Sequence, residues 1–356
     1  MSDQLTIQSH KGPYTVIFNE ALLHDLTALL DNTPHFLIDA NIARLYQNEL
    51  GAVINHPHAI IIDATEENKS IERVVPIIEK LVSNKARRDH TLVGIGGGII
   101  QDITCFIAST LLRGMHWKLV PTTLLAQADS CIGSKSSINL GSTKNILGTF
   151  NPPNEIFICP KFIDTLEEKD ILSGIGEILK VHAIEGKKAF DRLSKDYEEL
   201  LSSRPTLLRY IRDSLHIKQK FIEVDEFDRG IRNIFNYGHS FGHAIESATN
   251  FAVPHGIAVT IGMDMANRIA TLRGLLPEAE CQRMHGVLRK NYAEFAKTPI
   301  RVDALVAALL KDKKNTATKL VLIFPMGADA KVERVQVEAD AVFRFQCSQF
   351  LEEMTS

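Results

Sequence analysis

Residues 91–102 read TLVGIGGGIIQD, an apolar run that leads into three consecutive glycines. Residues 91–95 form a short apolar run that is typical of a buried strand, and Gly96, Gly97 and Gly98 follow it directly. Glycines between a strand and a helix let the backbone approach a phosphate, and the N-terminus of the helix favours that negative charge. Because the spacing is not GxGxxG, the turn alone fits nucleotide binding and a plain tight turn equally well.

The same alternation of strand and helix extends outward from this stretch. Short apolar runs at 15–18, 35–39, 59–63 and 118–121 predict strands, and apolar residues at helical spacing over 70–83 predict a helix. Strands and helices at this spacing predict a mostly parallel sheet covered by helices.

The second half of the chain has a different pattern. From about residue 165 the apolar residues recur at steps of three and four, over 171–183, 206–224, 235–248 and 258–270. We therefore predict an α/β N-terminal dinucleotide-binding domain over 1–165 and an all-α C-terminal metal-binding domain over 166–356. The two domains are expected to pack closely around a cleft.

Composition excludes several classes of protein. Of the 356 residues 45% are hydrophobic, which excludes a disordered chain. The 40 Lys and Arg nearly balance the 43 Asp and Glu, which argues against nucleic-acid binding, and no apolar run is long enough to span a membrane. Five scattered cysteines without CxxC and a polar N-terminus predict a reduced, cytoplasmic protein.

Three histidines and a glutamate suggest a metal site. His239 and His243 lie four residues apart, on one face of a predicted helix, and His255 follows Pro254. Such a pair alone is more often a surface or core pair than a metal site. With Glu177 on an earlier helix, however, two of the histidines complete a normal catalytic zinc set with an open water position.

A polar segment at 127–135 continues to Asn139, Lys144 and Asn145. Lysines in a segment rich in Gly and Ser suit an anionic substrate or a cofactor phosphate. The alternative is a solvated loop, but apolar residues such as Ile132 favour a packed segment.

Two further patterns are open to more than one interpretation. Arg232, Asn236, His239 and His243 follow at steps of four, three and four, which predicts one polar stripe on a helix that could aim an Arg at a carboxylate. Asp39 ends a predicted strand and could hold ribose hydroxyls, although such an Asp is more often a helix cap.

Together these segments resemble 3-dehydroquinate synthase and the wider sugar phosphate cyclase family. The resemblance runs from about residue 39 to residue 324 and is carried by several motifs in order. They are GGGIIQD (96–102), LLRG with Arg113, PTTLLAQADSCIGSK (121–135), KNILG (144–148), GIGEILK (174–180), RNIFNYGHSFGHAIE (232–246), HG (255–256) and DKK (312–314).

The resemblance implies an NAD-dependent metalloenzyme whose site lies between the two domains. The implied metal ligands are Glu177, His239 and His255, with Zn²⁺ or Co²⁺ as the ion. The implied NAD contacts are Asp39, Asn41, Glu66, Lys69, Gly97, Gly98, Asp102, Thr122, Thr123, Lys144 and Thr165. The residues implied to face the substrate are Asp129, Lys135, Asn145, Lys180, Lys218, Arg232, Asn236, His243 and Lys313. Arg113 would reach into the neighbouring subunit's site, which implies a homodimer.

The implied reaction is the closure of a carbocycle from a seven-carbon sugar-acid phosphate. In the implied sequence, NAD oxidises a ring carbinol, phosphate is eliminated, the hydride returns, and the opened ring closes by an aldol step. The expected substrate is 3-deoxy-D-arabino-heptulosonate 7-phosphate and the product 3-dehydroquinate or an analogue, because Arg232 and Asn236 match the enzymes that take a carboxylate-bearing substrate.

Departures from the family pattern leave alternatives open. Gln101 replaces a usual Gly, Phe227 a usual Arg, Asp228 a usual Glu, and Ile257 the acid that normally follows HG. The alternatives are a specialised cyclase, such as a valiolone-type or amino-dehydroquinate synthase, a metal-dependent polyol or glycerol dehydrogenase, and a non-catalytic relative.

Overall fold

The computed structural model describes residues 3–141, 143–311 and 319–355, which form two compact units. The first comprises Met1–Leu166 and Lys218–Asp228, and the second comprises Glu167–Ile217 and Arg229–Ser356. The predicted ranges differ from this division chiefly in the segment Lys218–Asp228. Long-range hydrogen bonds attach this segment to the first unit, among them Gln219 Nε2 to Thr6 O at 2.9 Å and His10 N to a carboxylate oxygen of Glu226 at 2.8 Å.

The first unit is built on a seven-stranded sheet with the order β1-β2-β9-β6-β5-β3-β4. Every neighbouring pair in it is parallel except β1 and β2. A separate antiparallel hairpin, β7–β8, follows β6 in the chain. The strands are β1 (Asp3–Ile7), β2 (Tyr14–Phe18), β3 (Pro34–Asp39), β4 (Ala59–Ile62), β5 (Thr91–Gly96), β6 (His116–Pro121), β7 (Lys135–Leu140), β8 (Thr143–Phe150) and β9 (Glu155–Ile158).

Helices cover this sheet because its central strands are apolar at most positions. Strands β3 and β5 are buried at nearly every position, as expected of parallel strands packed on both faces. The helices of this unit are α1 (Ala40–Leu45), α2 (Gly51–Ile54), α3 (Ile71–Ser83) and α4 (Gly98–Thr110). These observations confirm the predicted mostly parallel α/β architecture.

The strand order reverses between β3 and β5. The chain moves outward from β3 to β4 on one side and from β5 to β6 on the other. In open α/β sheets, ligands bind at the carboxyl ends of the strands where the order reverses in this way. The edge formed by the last residues of β3 and β5 is therefore the expected cofactor position.

The second unit is mainly helical, as predicted, and also contains an antiparallel pair of strands at 319–338. Its helices and strands are α5 (Glu168–Glu185), α6 (Lys187–Lys195), α7 (Tyr197–Ser202), α8 (Arg204–Val224), α9 (His239–Ala248), α10 (His255–Leu272), α11 (Glu278–Asn291), α12 (Val302–Leu310), β10 (Lys319–Met326), β11 (Lys331–Glu338) and α13 (Ala341–Thr355). The end of α8 belongs to the first unit.

One helical prediction was wrong in a way that affects the site. The predicted helix over 235–248 is interrupted: a 3₁₀ helix covers Ile231–Asn236, and α9 begins only at His239. Gly238 between them has a φ of 75°, a left-handed conformation that ends one helix and permits a new direction. The polar stripe of Arg232, Asn236, His239 and His243 therefore does not lie on a single helix.

Within the described residues, no helix has both the length and the apolar character needed to cross a membrane.

Candidate functional site

The predicted cofactor residues of the first unit follow the carboxyl ends of its parallel strands. Asp39 ends β3, Gly97 and Gly98 follow β5, and Thr122 and Thr123 follow β6. The space above Gly98 is open, because a Cβ built on this residue would meet nothing within 4 Å, and α4 begins there. An open backbone turn at a helix N-terminus fits the pyrophosphate of a dinucleotide.

The position of Asp39 suits both of its suggested roles, a helix cap and a contact to ribose hydroxyls. It is the N-cap of α1, where its carboxylate accepts a hydrogen bond from the backbone N–H of Asn41 at 2.8 Å. Burial raises the pKa of this carboxyl group above its usual value, and the charge of Asp63 acts in the same direction. A capping carboxylate retains further lone pairs, which could also accept hydrogen bonds from a ribose.

A polar network lies beside the glycine turn. The Lys69 ammonium donates to Asp102 Oδ2 at 3.2 Å and to Asn145 Oδ1 at 2.9 Å, and it lies 3.7 Å from Glu66 Oε2. Burial raises the pKa of Asp102 to about 6, although the charge of Lys69 opposes this shift. Lys144 extends the network, with its Nζ 3.9 Å from Glu66 Oε1.

Thr165 lies at the end of the 3₁₀ helix Pro160–Thr165, which follows β9. Its hydroxyl lies 3.1 Å from the hydroxyl of Tyr46. Asn41 is exposed in the first turn of α1.

Two lysine–aspartate pairs of the first unit involve residues predicted to face the substrate. Lys218 Nζ lies 2.7 Å from Asp129 Oδ1, and both side chains are largely buried. Lys135 forms an ion pair with Asp228, and this lysine is about half exposed. The segment at 127–135 is packed, since Gln127, Asp129 and Ile132 are buried, and the alternative of a solvated loop was therefore wrong.

Arg113 lies on an exposed turn of the first unit. Both Leu112 and Arg113 have positive φ angles, of 54° and 64°. The side chain of Arg113 borders a cavity of about 250 Å³ that is also lined by Lys11, Arg88 and His116.

Three residues of the second unit converge as a possible metal site. One donor atom of each of Glu177, His239 and His255 lies within 4.8 Å of the other two. Glu177 Oε1 is 3.7 Å from His239 Nε2 and 3.4 Å from His255 Nε2. Two imidazoles and a carboxylate that leave further positions open are a donor set that suits a catalytic Zn²⁺ or a related divalent ion.

Burial and neighbouring groups shift the pKa values of both histidines of this donor set. Burial holds the pKa of His239 well below its usual value, and the charge of Lys180 adds to this effect. Burial opposes protonation of His255 as well, but its hydrogen bonds to Glu177 and Glu246 outweigh burial and raise its pKa to about 10. A cation could bind His255 Nε2 only after the proton on that atom is released.

Lys180 lies one turn beyond Glu177 on α5 and forms a buried ion pair with it. The side chains of both residues are almost fully buried, at 3% and 1% exposure. Lys180 is thus held beside the donor set and not in solvent.

Glu246 is a site residue that the sequence analysis missed. Its Oε2 lies 3.2 Å from His255 Nδ1, on the side of the ring opposite to Glu177. His243, Glu246 and His255 form a second group with donor atoms within 4.8 Å of one another. The signal was present in the sequence, because positions 239, 243 and 246 share one face of a helix.

Of the other four substrate-facing predictions of the second unit, two lie just before α9 and one lies on it. Arg232 is buried, and Asn236 donates its Nδ2 to Asn233 O at 2.9 Å; both residues lie in the 3₁₀ helix Ile231–Asn236. His243 is exposed on α9, with its ring centroid 5.5 Å from that of His239. Lys313 lies outside the described residues.

The departures from the family pattern have structural roles. Gln101 exchanges two hydrogen bonds with Ser130, which joins α4 to the π-helical turn Ala126–Ser130 that carries Asp129. Phe227 packs against Phe150, with ring centroids 5.0 Å apart. Ile257 is fully buried in α10.

Two family models match adjacent parts of the chain. The model described as 3-dehydroquinate synthase N-terminal matches residues 59–173, and the one described as 3-dehydroquinate synthase C-terminal matches residues 174–315. A 3-dehydroquinate synthase of Thermoanaerobacter sp. (strain X514) is 32% identical over 353 residues, which cover 96% of this chain and 99% of that protein.

Two similar proteins have solved structures that contain NAD⁺ and a divalent metal ion. A 2-epi-5-epi-valiolone synthase from Streptomyces hygroscopicus subsp. jinggangensis 5008, with NAD⁺ and Zn²⁺ bound, is 27% identical, with a TM-score of 0.81 and 96% coverage of both chains. A 2-deoxy-scyllo-inosose synthase complexed with carbaglucose-6-phosphate, NAD⁺ and Co²⁺ shares the fold at 23% identity, with a TM-score of 0.83 and 99% coverage of both chains. With matched models over more than half of its length and a relative above 30% identity over nearly all of it, this chain belongs to the 3-dehydroquinate synthase family.

Proposed function

We propose that this protein converts 3-deoxy-D-arabino-heptulosonate 7-phosphate to 3-dehydroquinate or a close analogue, with release of inorganic phosphate. The observation that carries this proposal is the convergence of Glu177, His239 and His255 beside the buried ammonium of Lys180. In a member of this family, that arrangement supplies the metal donors and a cationic group at the place where a hydroxyl would be oxidised.

The proposed cofactors are NAD and one divalent ion, Zn²⁺ or Co²⁺. The open turn at Gly98 and the carboxylate of Asp39 fit the dinucleotide, and the two imidazoles with Glu177 fit the ion. When bound, NAD supplies a reversible hydride acceptor and the ion supplies a Lewis acid that lowers the pKa of a coordinated hydroxyl.

Residues of the first unit are proposed to hold the two anionic groups of cofactor and substrate. The glycine turn and Thr122 would hold the pyrophosphate, with Lys144 nearby. Lys135 and the exposed amide of Asn145 would bind the phosphate that leaves. Lys218 is fixed by Asp129, so that its charge is positioned before substrate arrives.

Residues of the second unit are proposed to hold the ring and its carboxylate. Lys180 would stabilise negative charge on the oxygen that loses its proton, because its ammonium is held at a buried position by Glu177. Arg232 would pair with the carboxylate of the substrate, since a guanidinium matches a carboxylate in a two-point contact. His243 and Asn236 would complete the contacts to phosphate.

The proposal includes a homodimeric, cytoplasmic enzyme. The exposed Arg113 is assigned to the neighbouring subunit's site. None of the five cysteines, all within the described ranges, forms a disulfide, which suits a reducing compartment.

The test is product identification by NMR after incubation with a panel of seven-carbon sugar phosphates, Zn²⁺ and substoichiometric NAD. We expect the heptulosonate phosphate to yield a carbocycle and free phosphate in amounts that exceed the NAD added. Conversion of sedoheptulose 7-phosphate alone would favour a valiolone-type cyclase. Net accumulation of NADH from a polyol would instead favour a dehydrogenase.

A Glu177→Ala variant serves as the control for the metal assignment. We expect it to retain little Zn²⁺ after dialysis, whereas the parent protein retains about one ion per chain. Equally low metal content in both proteins would contradict the assignment and favour a non-catalytic relative.

A further inference from the structure

The hairpin β7–β8 is irregular at the place where it presents Lys144 and Asn145. Ile138 pairs with Leu147, and Leu140 pairs with Thr143. Between these pairs β7 contributes one residue, Asn139, whereas β8 contributes three, from Lys144 to Ile146. A bulge of this kind redirects side chains out of the regular ladder and leaves backbone groups without their usual partners.

The side chain of Asn139 satisfies one backbone group in the bulged part of β8. Its Oδ1 accepts a hydrogen bond from the backbone N–H of Asn145 at 2.8 Å. Asn145 has a φ of 52°, and this contact fixes that left-handed conformation. The position of the Asn145 side chain therefore depends on the side chain of Asn139.

The remaining polar atoms of Asn139 hold the loop that carries two predicted NAD contacts. Its Nδ2 donates to Glu66 Oε1 at 2.9 Å and to Glu66 O at 3.3 Å, and its backbone N–H donates to Lys69 O at 2.8 Å. Lys69 in turn donates to Asn145 Oδ1 at 2.9 Å, which closes a ring of contacts. Asn139 is only 5% exposed, so water does not readily replace these bonds.

We propose that Asn139 is a positioning residue that couples NAD binding to phosphate binding. The inference rests on the proposed function, since it takes Glu66 and Lys69 as NAD contacts and Asn145 as a phosphate contact. NAD that orders Glu66 and Lys69 fixes Asn139, which fixes Asn145 for the phosphate. By thermodynamic linkage, phosphate tightens NAD binding by the same factor.

The experiment measures binding and not turnover. Calorimetric titration gives the Kd of inorganic phosphate with and without saturating NAD, and the Kd of NAD with and without phosphate. For the parent protein we expect each ligand to lower the Kd of the other by about fivefold or more. For Asn139→Ala we expect an NAD Kd about tenfold higher and a coupling factor near 1.

The Asn139→Asp variant tests the contact to Asn145 separately from the contact to Glu66. A carboxylate still accepts from the Asn145 N–H but repels the carboxylate of Glu66. We therefore expect a raised NAD Kd together with a phosphate Kd, measured without NAD, within about twofold of the parent value. Hydrogen exchange at the Asn145 amide should accelerate in Asn139→Ala and remain slow in Asn139→Asp.

Leu140→Ala is the matched control, because Leu140 neighbours Asn139 on β7 and its side chain is 48% exposed. It should leave both Kd values and the coupling factor unchanged. Parent-like NAD affinity and coupling in Asn139→Ala, or a coupling factor of 1 in a parent protein that binds both ligands, would overturn the inference. Failure of the parent protein to bind NAD at all would instead overturn the proposed function.

Discussion

At the scale of single residues, Glu246 shows how a side chain outside a donor set can control it. Its carboxylate lies 3.2 Å from His255 Nδ1 and favours the tautomer with the proton on that nitrogen. The same tautomer leaves Nε2, the atom that faces Glu177, as the donor for a cation. A carboxylate that orients a ligating histidine in this way typically contributes 10- to 100-fold to metal affinity.

We therefore predict that Glu246→Ala raises the Kd for Zn²⁺ by about 10- to 100-fold, measured by competition with a chromogenic chelator. Glu246→Gln keeps a hydrogen-bond acceptor and should recover most of that loss. Ser247→Ala changes an exposed neighbour on the same helix and should have no effect. If His243→Ala loses the ion and Glu177→Gln keeps it, the ion is held by His243, Glu246 and His255 instead.

His35 is a residue to which the sequence analysis assigned no function. It is fully buried in β3, its Nε2 lies 3.0 Å from His90 Nδ1, and its ring stacks on His58 at 4.4 Å. Burial lowers the pKa of His35 to about 4, and the neighbouring histidines add to this shift. The folded protein therefore holds this imidazole neutral at a pH where an unfolded chain would protonate it.

This histidine should make the first unit sensitive to acid. Because the pKa of His35 is lower in the folded state, its contribution to the free energy of unfolding is complete above about pH 6.5. As the pH falls towards 4, the free energy of unfolding decreases by up to about 3 kcal/mol. Urea unfolding followed by the fluorescence of Trp117, the single tryptophan, measures this loss. His35→Phe should flatten the pH dependence over that range, whereas substitution of the exposed His24 by Gln should leave it unchanged.

At the scale of elements, two glycines set the distance between α5 and α10. A Cβ on Gly176 would overlap the carbonyl oxygen of Gly256, and a Cβ on Gly256 would overlap that of Ser173. The two helices therefore touch backbone to backbone. Glu177 and His255 adjoin these two glycines in the chain, so the close approach of the helices is also what brings these two donors together.

Gly176→Ala should consequently destabilise the second unit by about 2 kcal/mol or more, because the helices must separate to admit a methyl group. The Zn²⁺ affinity should fall as well, since Glu177 moves away from His255. Gly286→Ala is the matched control: it lies on α11, an added Cβ there meets nothing within 4 Å, and alanine should raise stability slightly. Thermal melting and metal titration of both variants test this prediction, which a Gly176→Ala protein as stable as its parent would contradict.

At the scale of the whole molecule, local signals in the sequence predicted five of the seven strands of the large sheet, the glycine turn and the helical second half, but not β1, β9 or the hairpin β7–β8. Features that depend on contacts between residues far apart in the sequence could not be predicted from these local signals. The break at Gly238 is an example, since an added Cβ there would crowd the backbone of Val259, a residue that lies far along the chain. The same limit applies to Asn139, whose partners at 66–69 lie about seventy positions away. Periodicity reports which residues are buried, but not which residues pair.

The proposed homodimer can be tested with mixed dimers, in which the two subunits carry different substitutions. If Arg113 completes the neighbouring subunit's site, Arg113→Ala and Lys180→Ala should each be nearly inactive alone, for different reasons. In a mixed dimer of the two variants, one site combines an intact Lys180 with an intact Arg113 from the other subunit. Unfolding is not needed to form such dimers, because dissociation and random reassociation of the subunits suffice.

Equal amounts of the two variants, allowed to exchange subunits, should therefore recover up to about a quarter of the parent activity, since half of the dimers are mixed and each has one complete site. Two Lys180→Ala preparations mixed in the same way are the control and should stay inactive. Phosphate release measures the recovery, and the time course of recovery should follow subunit exchange monitored by energy transfer between labelled chains. Exchange without any recovery of activity would place Arg113 in the site of its own chain.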